Sequence, residues 1–181
     1  MPLVLALFGA SGCVMGYQLG AVSTVDTAGD VGLAAAPGFS QGLALDDDSA
    51  VLFVFDGRLG GVPTASKGLL GISGGLDFHH QQLFGKGLGL RAGTRSGVLA
   101  PFDCDGFDMP VTLLGGEVAL LLLLDDDHYS GHEKWGGGGD SYWNLAVSLG
   151  AAYVMSTDEE GPRALLTLGV AYELDGFSEL F

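Results

Sequence analysis

One group of histidines and acids in this chain has the side-chain types that bind transition metals. His128 and His132 stand close to the acidic residues 125–127 and to Glu133 in a glycine-rich stretch. Imidazole nitrogens and carboxylate oxygens form mixed metal sites. The spacing fits no closed zinc motif, however, and it favours the alternative of a solvated acidic loop.

A second group of acids has the alternating spacing of a calcium loop. Asp103, Asp105 and Asp108 lie in the sequence DCDGFD, in which oxygen ligands alternate and Gly106 permits a sharp turn. A full calcium loop would carry Glu six positions after that glycine, but Thr112 occupies the position. The sequence therefore favours a plain acidic turn over a calcium site.

Nucleophilic catalysis needs a nucleophile, a base and an orienting acid within reach of one another. Ser73 lies near His79, but the chain has no GxSxG motif and no acid at a fixed spacing from the two residues. The glycine-rich runs lack the Lys-Ser/Thr ending of a phosphate loop. We therefore predict a protein that is not an enzyme and that has no cofactor.

The elements that position the remaining charged residues are β-strands, because apolar residues recur at every second position. In residues 163–174, RALLTLGVAYEL, Leu168 and Val170 share one face, whereas Thr167 and Glu173 share the other. A water-soluble sheet turns its apolar face inward. A membrane barrel has bulky residues facing lipid and Gly, Thr and acids facing the lumen.

The same alternation places a set of polar residues opposite the bulky apolar residues of several strands. We predict that these residues form an interior network of salt bridges and hydrogen bonds that fills the lumen, because an unpaired buried charge is costly. The alternative is a narrow polar pore or a small-solute site. The set comprises Asp56, Arg58, Asp77, His79, Arg91, Arg95, Glu117, Asn144 and Glu173.

Extended segments alternate with turn-forming segments along the chain and add up to about eight strands, with no capped helix of normal length. The last strand is followed by the terminal aromatic residue Phe181. Over residues 50–181 this pattern resembles the small β-barrels of Gram-negative outer membranes. The resemblance implies an all-β, antiparallel up-and-down barrel in the outer membrane, with the lipid bilayer as its partner and a structural, adhesive or small-solute pore role.

Loops and aromatic residues complete this prediction. Residues 100–110 and 125–141 are predicted to be loops, and the Pro37-Gly38 pair suggests a kink or an edge position in its strand. Aromatic residues near strand ends are candidates for the girdles at the membrane surfaces. These candidates are Tyr129, Trp135, Tyr142, Trp143 and Tyr153.

Composition excludes several other classes of protein. The 181 residues suit one domain, and 48% hydrophobic content argues against disorder despite a net charge of −15. With 22 acids against 7 bases, nucleic acid is a poor partner. The longest apolar stretch, residues 111–124, is interrupted by Gly115, Gly116 and Glu117, so a membrane-spanning helix is not expected.

The two cysteines are too few for a disulfide framework. Cys13 ends the run LFGASGC, which resembles a loose lipobox, although no basic residue precedes Arg58. Lipidation of Cys13 and a small buried cysteine are the two alternatives. We expect residues 1–15 to be a leader-like apolar segment and residues 16–181 to form a single barrel domain.

Two other functions remain compatible with the sequence. A soluble or lipid-anchored periplasmic barrel or sandwich would serve as a binding module, with the Leu, Val and Phe face buried in its core. A lipid-modifying barrel enzyme would need a Ser–His pair within hydrogen-bond reach at the lipid-facing rim. Burial separates the first function from the membrane barrel: Leu145 and Leu168 in a dry centre, with Arg91 and Glu173 in water, would contradict the membrane barrel.

Overall fold

The computed structural model consists almost entirely of long antiparallel strands. It describes residues 12–27, 29–45, 48–63, 66–83, 87–129, 139–155 and 163–179. Within these ranges no helix is long and apolar enough to cross a membrane. The strands are β1 (Gly12–Asp26), β2 (Val31–Ala44), β3 (Ser49–Val62), β4 (Lys67–His80), β5 (Leu88–Asp103), β6 (Gly106–Phe107), β7 (Val111–Tyr129), β8 (Gly139–Met155) and β9 (Arg163–Glu179).

Eight of these strands form a closed ring. Each long strand pairs with the next long strand along the chain, and β9 pairs with β1, always antiparallel. The two-residue β6 pairs only with the end of β5. The predicted eight-stranded up-and-down barrel is confirmed.

The register of the strands sets the width of the barrel. Moving from Gly12 to its partner on each successive strand leads back to β1 at Val22, ten residues further along. This shift tilts the strands by about 40° and leaves an interior just wide enough for side chains. The path passes through Ala44, Ala50, His79, Arg91, Ala119, Ser148 and Gly169.

The two ends of the barrel carry different connections. Connections 45–48, 81–87 and 130–138 lie at the end where β1 begins and β9 finishes, which we call the terminal end. The opposite end, which we call the hairpin end, carries the other four connections. These connections are 27–30, 63–66, 104–110 and 156–162.

Both predicted loops are shorter than expected, because strand pairing continues through polar sequence. Strand β7 runs to Tyr129 and β8 begins at Gly139, so most acids of the predicted loop 125–141 lie in strands. The register between these strands shifts between Leu123 and Asp125. A bulge of this kind exchanges the inward and outward positions along the strand. The residues beyond it therefore no longer follow the alternation from which the strand was predicted. Likewise, β5 includes residues 100–103 of the predicted loop 100–110.

Pro37 lies in the middle of β2, opposite Leu19 of β1. The predicted edge position is therefore wrong, because a closed ring has no edge strand. The β2–β3 pairing is interrupted here, between the pair Ala35–Leu59 and the pair Gly38–Asp56. The missing N–H of proline accounts for this local interruption.

The barrel is apolar outside and polar inside. Leu149 is 65% exposed and Leu168 is 56% exposed on the outer wall, whereas Arg91 is only 6% exposed and Glu173 only 1%. In water this arrangement would expose a continuous apolar wall, while in a bilayer the same wall contacts lipid. The arrangement excludes the soluble barrel that buries its Leu, Val and Phe face.

The candidate girdle aromatics divide between the two faces. Tyr142 is buried in the interior, so its predicted position in a girdle is wrong. It is two residues from Asn144 on β8 and therefore faces the lumen on the same side of the strand. Trp143 lies on the other face, with its ring 5.2 Å from that of Tyr172. Tyr153 is exposed. Trp135, the side chain of Tyr129 and the terminal Phe181 lie outside the described residues.

A charge on the outer wall tests the membrane assignment. Leu149→Arg places a guanidinium near mid-height of the wall, and we expect it to lower the free energy of unfolding by about 2–4 kcal/mol in lipid vesicles. The matched Val31→Arg at the hairpin end should cost at most about 1 kcal/mol. Urea titrations of vesicle-embedded protein measure both values. Equal, small losses would contradict a lipid-facing wall.

Candidate functional site in the barrel interior

Inward-facing glycines create the space for charged side chains in the interior. A Cβ at Gly93 would overlap the Asp77 carboxylate, and a Cβ at Gly38 would overlap the side chain of Gln18. Glycine weakens a strand, but here it lets long side chains from neighbouring strands cross the lumen. The interior charges therefore depend on the glycines opposite them.

Arg91 of β5 lies at the centre of the interior. Its guanidinium contacts three carboxylates: Asp77 at 3.2 Å, Glu117 at 3.3 Å and Glu173 at 2.6 Å. The same group donates to Gln18 Oε1 at 3.2 Å. These partners come from β4, β7, β9 and β1, so one side chain links four other strands across the lumen.

Arg95, four residues further along β5, makes a second centre on the same face. It donates from two nitrogens to the two carboxylate oxygens of Asp77, with the Nη2–Oδ2 distance at 2.8 Å. It also lies 3.3 Å from Asp56 Oδ2 and 3.3 Å from Glu117 Oε1. Gln18 donates to Asp56 and connects the two centres. Two-point Arg–carboxylate contact is among the strongest polar interactions in proteins.

Arg58 is the third interior arginine and is only 9% exposed. Its Nη1 has no hydrogen-bond partner among the described residues. Next to it is a cavity of about 40 Å³, which Gln18, Glu117 and Ser148 also line. A cavity of this size holds a few water molecules, which are the natural partners for such a donor.

A second polar group lies nearer the terminal end. His79 Nε2 is 2.8 Å from Gln81 Oε1, and Gln81 donates to Asn144 Oδ1 at 2.8 Å. Asn144 donates to Asp175 Oδ2 at 3.3 Å, and His79 Nδ1 lies 4.0 Å from the same oxygen. All four side chains are buried.

All nine predicted interior residues therefore face the lumen, and eight of them have a polar partner there. Sequence reasoning missed Gln18, Gln81 and Asp175. Asp175 is two residues after Glu173 on β9 and faces the lumen like Glu173, so extending the predicted last strand beyond residue 174 would have found it. Gln18 lies in a strand whose alternation of apolar and polar residues is weak. Gln81 follows the last residue of β4, so strand alternation does not predict that its side chain points inward.

Two apolar clusters lie in the interior, one toward each end of the barrel. At the terminal end, Val14, Leu52 and Tyr142 pack together with Ala44, Ala50 and Val54. At the hairpin end, Leu69, Leu99, Leu113 and Leu165 form a second cluster. The interior thus has the Arg91 and Arg95 charges at its centre and apolar clusters toward both ends, with the polar group of His79 beside the terminal cluster.

Two of the three calcium candidates, Asp103 and Asp108, have other partners. Asp103 Oδ1 accepts a hydrogen bond from the Asp105 backbone N–H at 2.8 Å, as in an Asx turn. Asp108 forms an ion pair with Lys67 at 2.5 Å. In the described ranges no three His, Cys, Asp or Glu residues are grouped to hold a metal. His132 and Glu133 lie outside those ranges, as does the side chain of His128.

The Ser–His pairs do not form a catalytic arrangement. Ser73 and His79 are six residues apart on one strand, which separates them by about 20 Å. Ser49 Oγ does lie 2.9 Å from His80 Nδ1, but Ser49 is buried. No carboxylate among the described residues contacts the His80 ring. A direct cross-strand pair between β3 and β4 accounts for this contact.

Cys13 is the second residue of β1, half-buried, with Leu43 and Ser178 as its strand partners. Residues 12–15 of the predicted leader-like segment thus contribute to the barrel. Residues 1–11 of that segment lie outside the described residues. Cys104 is exposed in the 104–110 connection.

Removing the central guanidinium tests whether the interior charges depend on it. Arg91→Met leaves the buried Glu173 without an arginine and removes one of the two arginine partners of Asp77 and Glu117, and we expect a loss of about 3–5 kcal/mol in the free energy of unfolding. Arg163→Met removes a partly exposed pair with Asp26 and should cost at most about 1 kcal/mol. Urea unfolding in vesicles measures both losses. A loss for Arg91→Met no larger than for Arg163→Met would contradict the structural role of Arg91.

Comparisons with known proteins support the fold and leave the sequence family open. No protein family matches the chain, and no curated protein matches it. The crystal structure of Neisserial surface protein A superimposes with a TM-score of 0.59 at 13% identity, covering 92% of this chain and 97% of that chain. Outer membrane protein OprG from Pseudomonas aeruginosa is also similar (TM-score 0.43, 11% identity, 93% and 96% coverage). The chain has the eight-stranded fold of small outer-membrane barrels, as its sequence predicts.

Proposed function

We propose that this protein is a structural barrel of the Gram-negative outer membrane, with a lumen closed to solutes and no catalytic activity. The observation that carries the proposal is the layered interior. A charged layer, in which Arg91 and Arg95 bind the surrounding acids, lies between apolar clusters at the two ends. A polar solute would have to pass both clusters, whose side chains are mostly apolar.

The charged layer supports a stabilising role. Helix-free membrane proteins satisfy their backbone hydrogen bonds only by closing the ring of strands. Arg91 and Arg95 then connect opposite walls of that ring through Asp56, Asp77 and Glu173. Each contact resists flattening or opening of the barrel. Because these groups are withdrawn from water, their pairing matters more than pairing at an exposed surface.

The pore alternative has weaker support. The cavity beside Arg58 has a volume of about 40 Å³, which suits water rather than a sugar. At the terminal end, Tyr142 and Leu52 fill the centre together with Gln81. An adhesive role would draw on the exposed connections, and two of those at the hairpin end are short turns, 27–30 and 63–66.

Cell fractionation tests the location. We expect the protein to sediment with outer membranes, to require detergent for extraction and to migrate faster on gels before boiling than after. The physical reason is that a closed barrel with an apolar wall resists unfolding by detergent until heated. Recovery in the soluble fraction without detergent would contradict the proposal.

Solute exclusion tests the closed lumen. Purified protein in planar bilayers should show no stepwise conductance, and liposomes containing it should not swell in isosmotic arabinose. A general porin serves as the positive control under the same conditions. Regular conductance steps, together with swelling, would replace the structural role with a pore.

A further inference from the structure

A small cavity lies in the barrel interior beside Arg91, toward the terminal end. Its volume is about 10 Å³, which is the room that one water molecule or one small ion needs. The inward side chains that line it are Gln18, Ser40, Arg91, Glu173 and Asp175. Glu173 is 1% exposed, Asp175 4% and Ser40 8%. Bulk water therefore does not reach the oxygen atoms of these three side chains.

One carboxylate oxygen at this cavity has no protein partner. Glu173 Oε1 accepts a hydrogen bond from Arg91 Nη1 at 2.6 Å. Glu173 Oε2 is buried and has no hydrogen-bond partner among the described residues. Because a buried carboxylate oxygen without a partner costs free energy, Glu173 needs a further partner. The cavity beside it has room for one.

The missing side chain of Gly16 makes room for two more oxygen atoms. Gly16 of β1 is the direct strand partner of Ser40 on β2 and of Asp175 on β9. A Cβ at Gly16 would overlap both Ser40 Oγ and Asp175 Oδ1. The other oxygen of this carboxylate, Asp175 Oδ2, accepts a hydrogen bond from Asn144 at 3.3 Å. Glycine at position 16 therefore lets a hydroxyl and a carboxylate oxygen from two strands approach each other over a third strand.

The barrel interior also contains more carboxylates than cations. Among the described residues, three guanidinium groups face the lumen, those of Arg58, Arg91 and Arg95. Five carboxylates face it, so two negative charges are unbalanced, and a charged His79 would still leave one. Because excess charge in a medium of low dielectric constant is costly, a bound cation is favoured. The five acids are Asp56, Asp77, Glu117, Glu173 and Asp175.

We propose that Glu173, Asp175 and Ser40 bind one monovalent cation, Na⁺, in this cavity. Carboxylate and hydroxyl oxygens are ligands for hard cations, and among the described residues no sulfur or imidazole lines the cavity to favour a transition metal. Ca²⁺ takes about six to eight oxygen ligands and Mg²⁺ keeps several water molecules, which is more than so small a cavity admits. Arg91 also repels a divalent ion twice as strongly as a monovalent one. The bound ion would join β2 to β9 across β1, whether or not the lumen excludes solutes.

The Na⁺ dependence of unfolding tests the site in the unmodified protein. The full-length barrel in vesicles of zwitterionic lipid is unfolded with urea at constant ionic strength, while Na⁺ is replaced stepwise by tetramethylammonium, which is too large for the cavity. An ion that binds only the folded state stabilises it, so we expect saturating Na⁺ to lower the unfolding equilibrium constant at least about tenfold. The same constant in both salts would overturn the proposal, and a bound water molecule or proton would give that result.

Ser40→Ala removes one ligand without changing the charge and should reduce the Na⁺ effect to less than about twofold. Ser73→Ala is the matched control, because Ser73 is an equally buried, inward serine that does not line the cavity. It should keep the full Na⁺ effect. Asp175→Asn keeps the shape of the side chain but removes one charge of the site, and its unfolding should not depend on Na⁺.

Equal Na⁺ effects in the two serine variants, or a full Na⁺ effect in Asp175→Asn, would place the ion elsewhere on the barrel and overturn the proposal. The measurement on the unmodified protein decides between a bound Na⁺ and none even where a variant does not fold.

Discussion

Pairing of buried charges inside a closed ring of strands is the interaction on which this structure depends. Three arginines and several carboxylates occupy an interior too narrow to be filled with bulk water. Arg91 and Arg95 bring those carboxylates together from β3, β4, β7 and β9. Without these two side chains, the same carboxylates would repel one another in a medium of low dielectric constant.

The charged layer in turn depends on glycine and on register. Gly38 and Gly93 leave space that Gln18 and Asp77 occupy, and a ten-residue shift around the ring brings distant strands to the same height. Apolar clusters lie toward the two ends of the barrel, on either side of the charged layer. Glycine positions and strand register therefore determine which charged side chains meet inside the ring.

The outer wall follows a different rule, because lipid neither competes for polar groups nor drives apolar surfaces together. Most outward positions of the described strands are large and apolar, as the exposed Phe53, Leu149 and Leu168 show. Interior glycines such as Gly38 and Gly93 instead lie against side chains of neighbouring strands.

Alternation along single strands was enough to predict the fold class and the inward face of Asp56, Arg91 and Glu173, because side-chain parity is a local property of an extended chain. Alternation also places Tyr142 on the inward face with Asn144, and its girdle prediction was wrong because that prediction used only its position near a strand end. The local rule failed beyond Leu123, where a bulge shifts the register. Which carboxylate each arginine binds and the inward turn of Gln81 were decided only by tertiary structure. The physical reason is that they depend on closure and shear of the ring, which bring together distant residues such as Arg91 and Glu173, 82 positions apart in sequence.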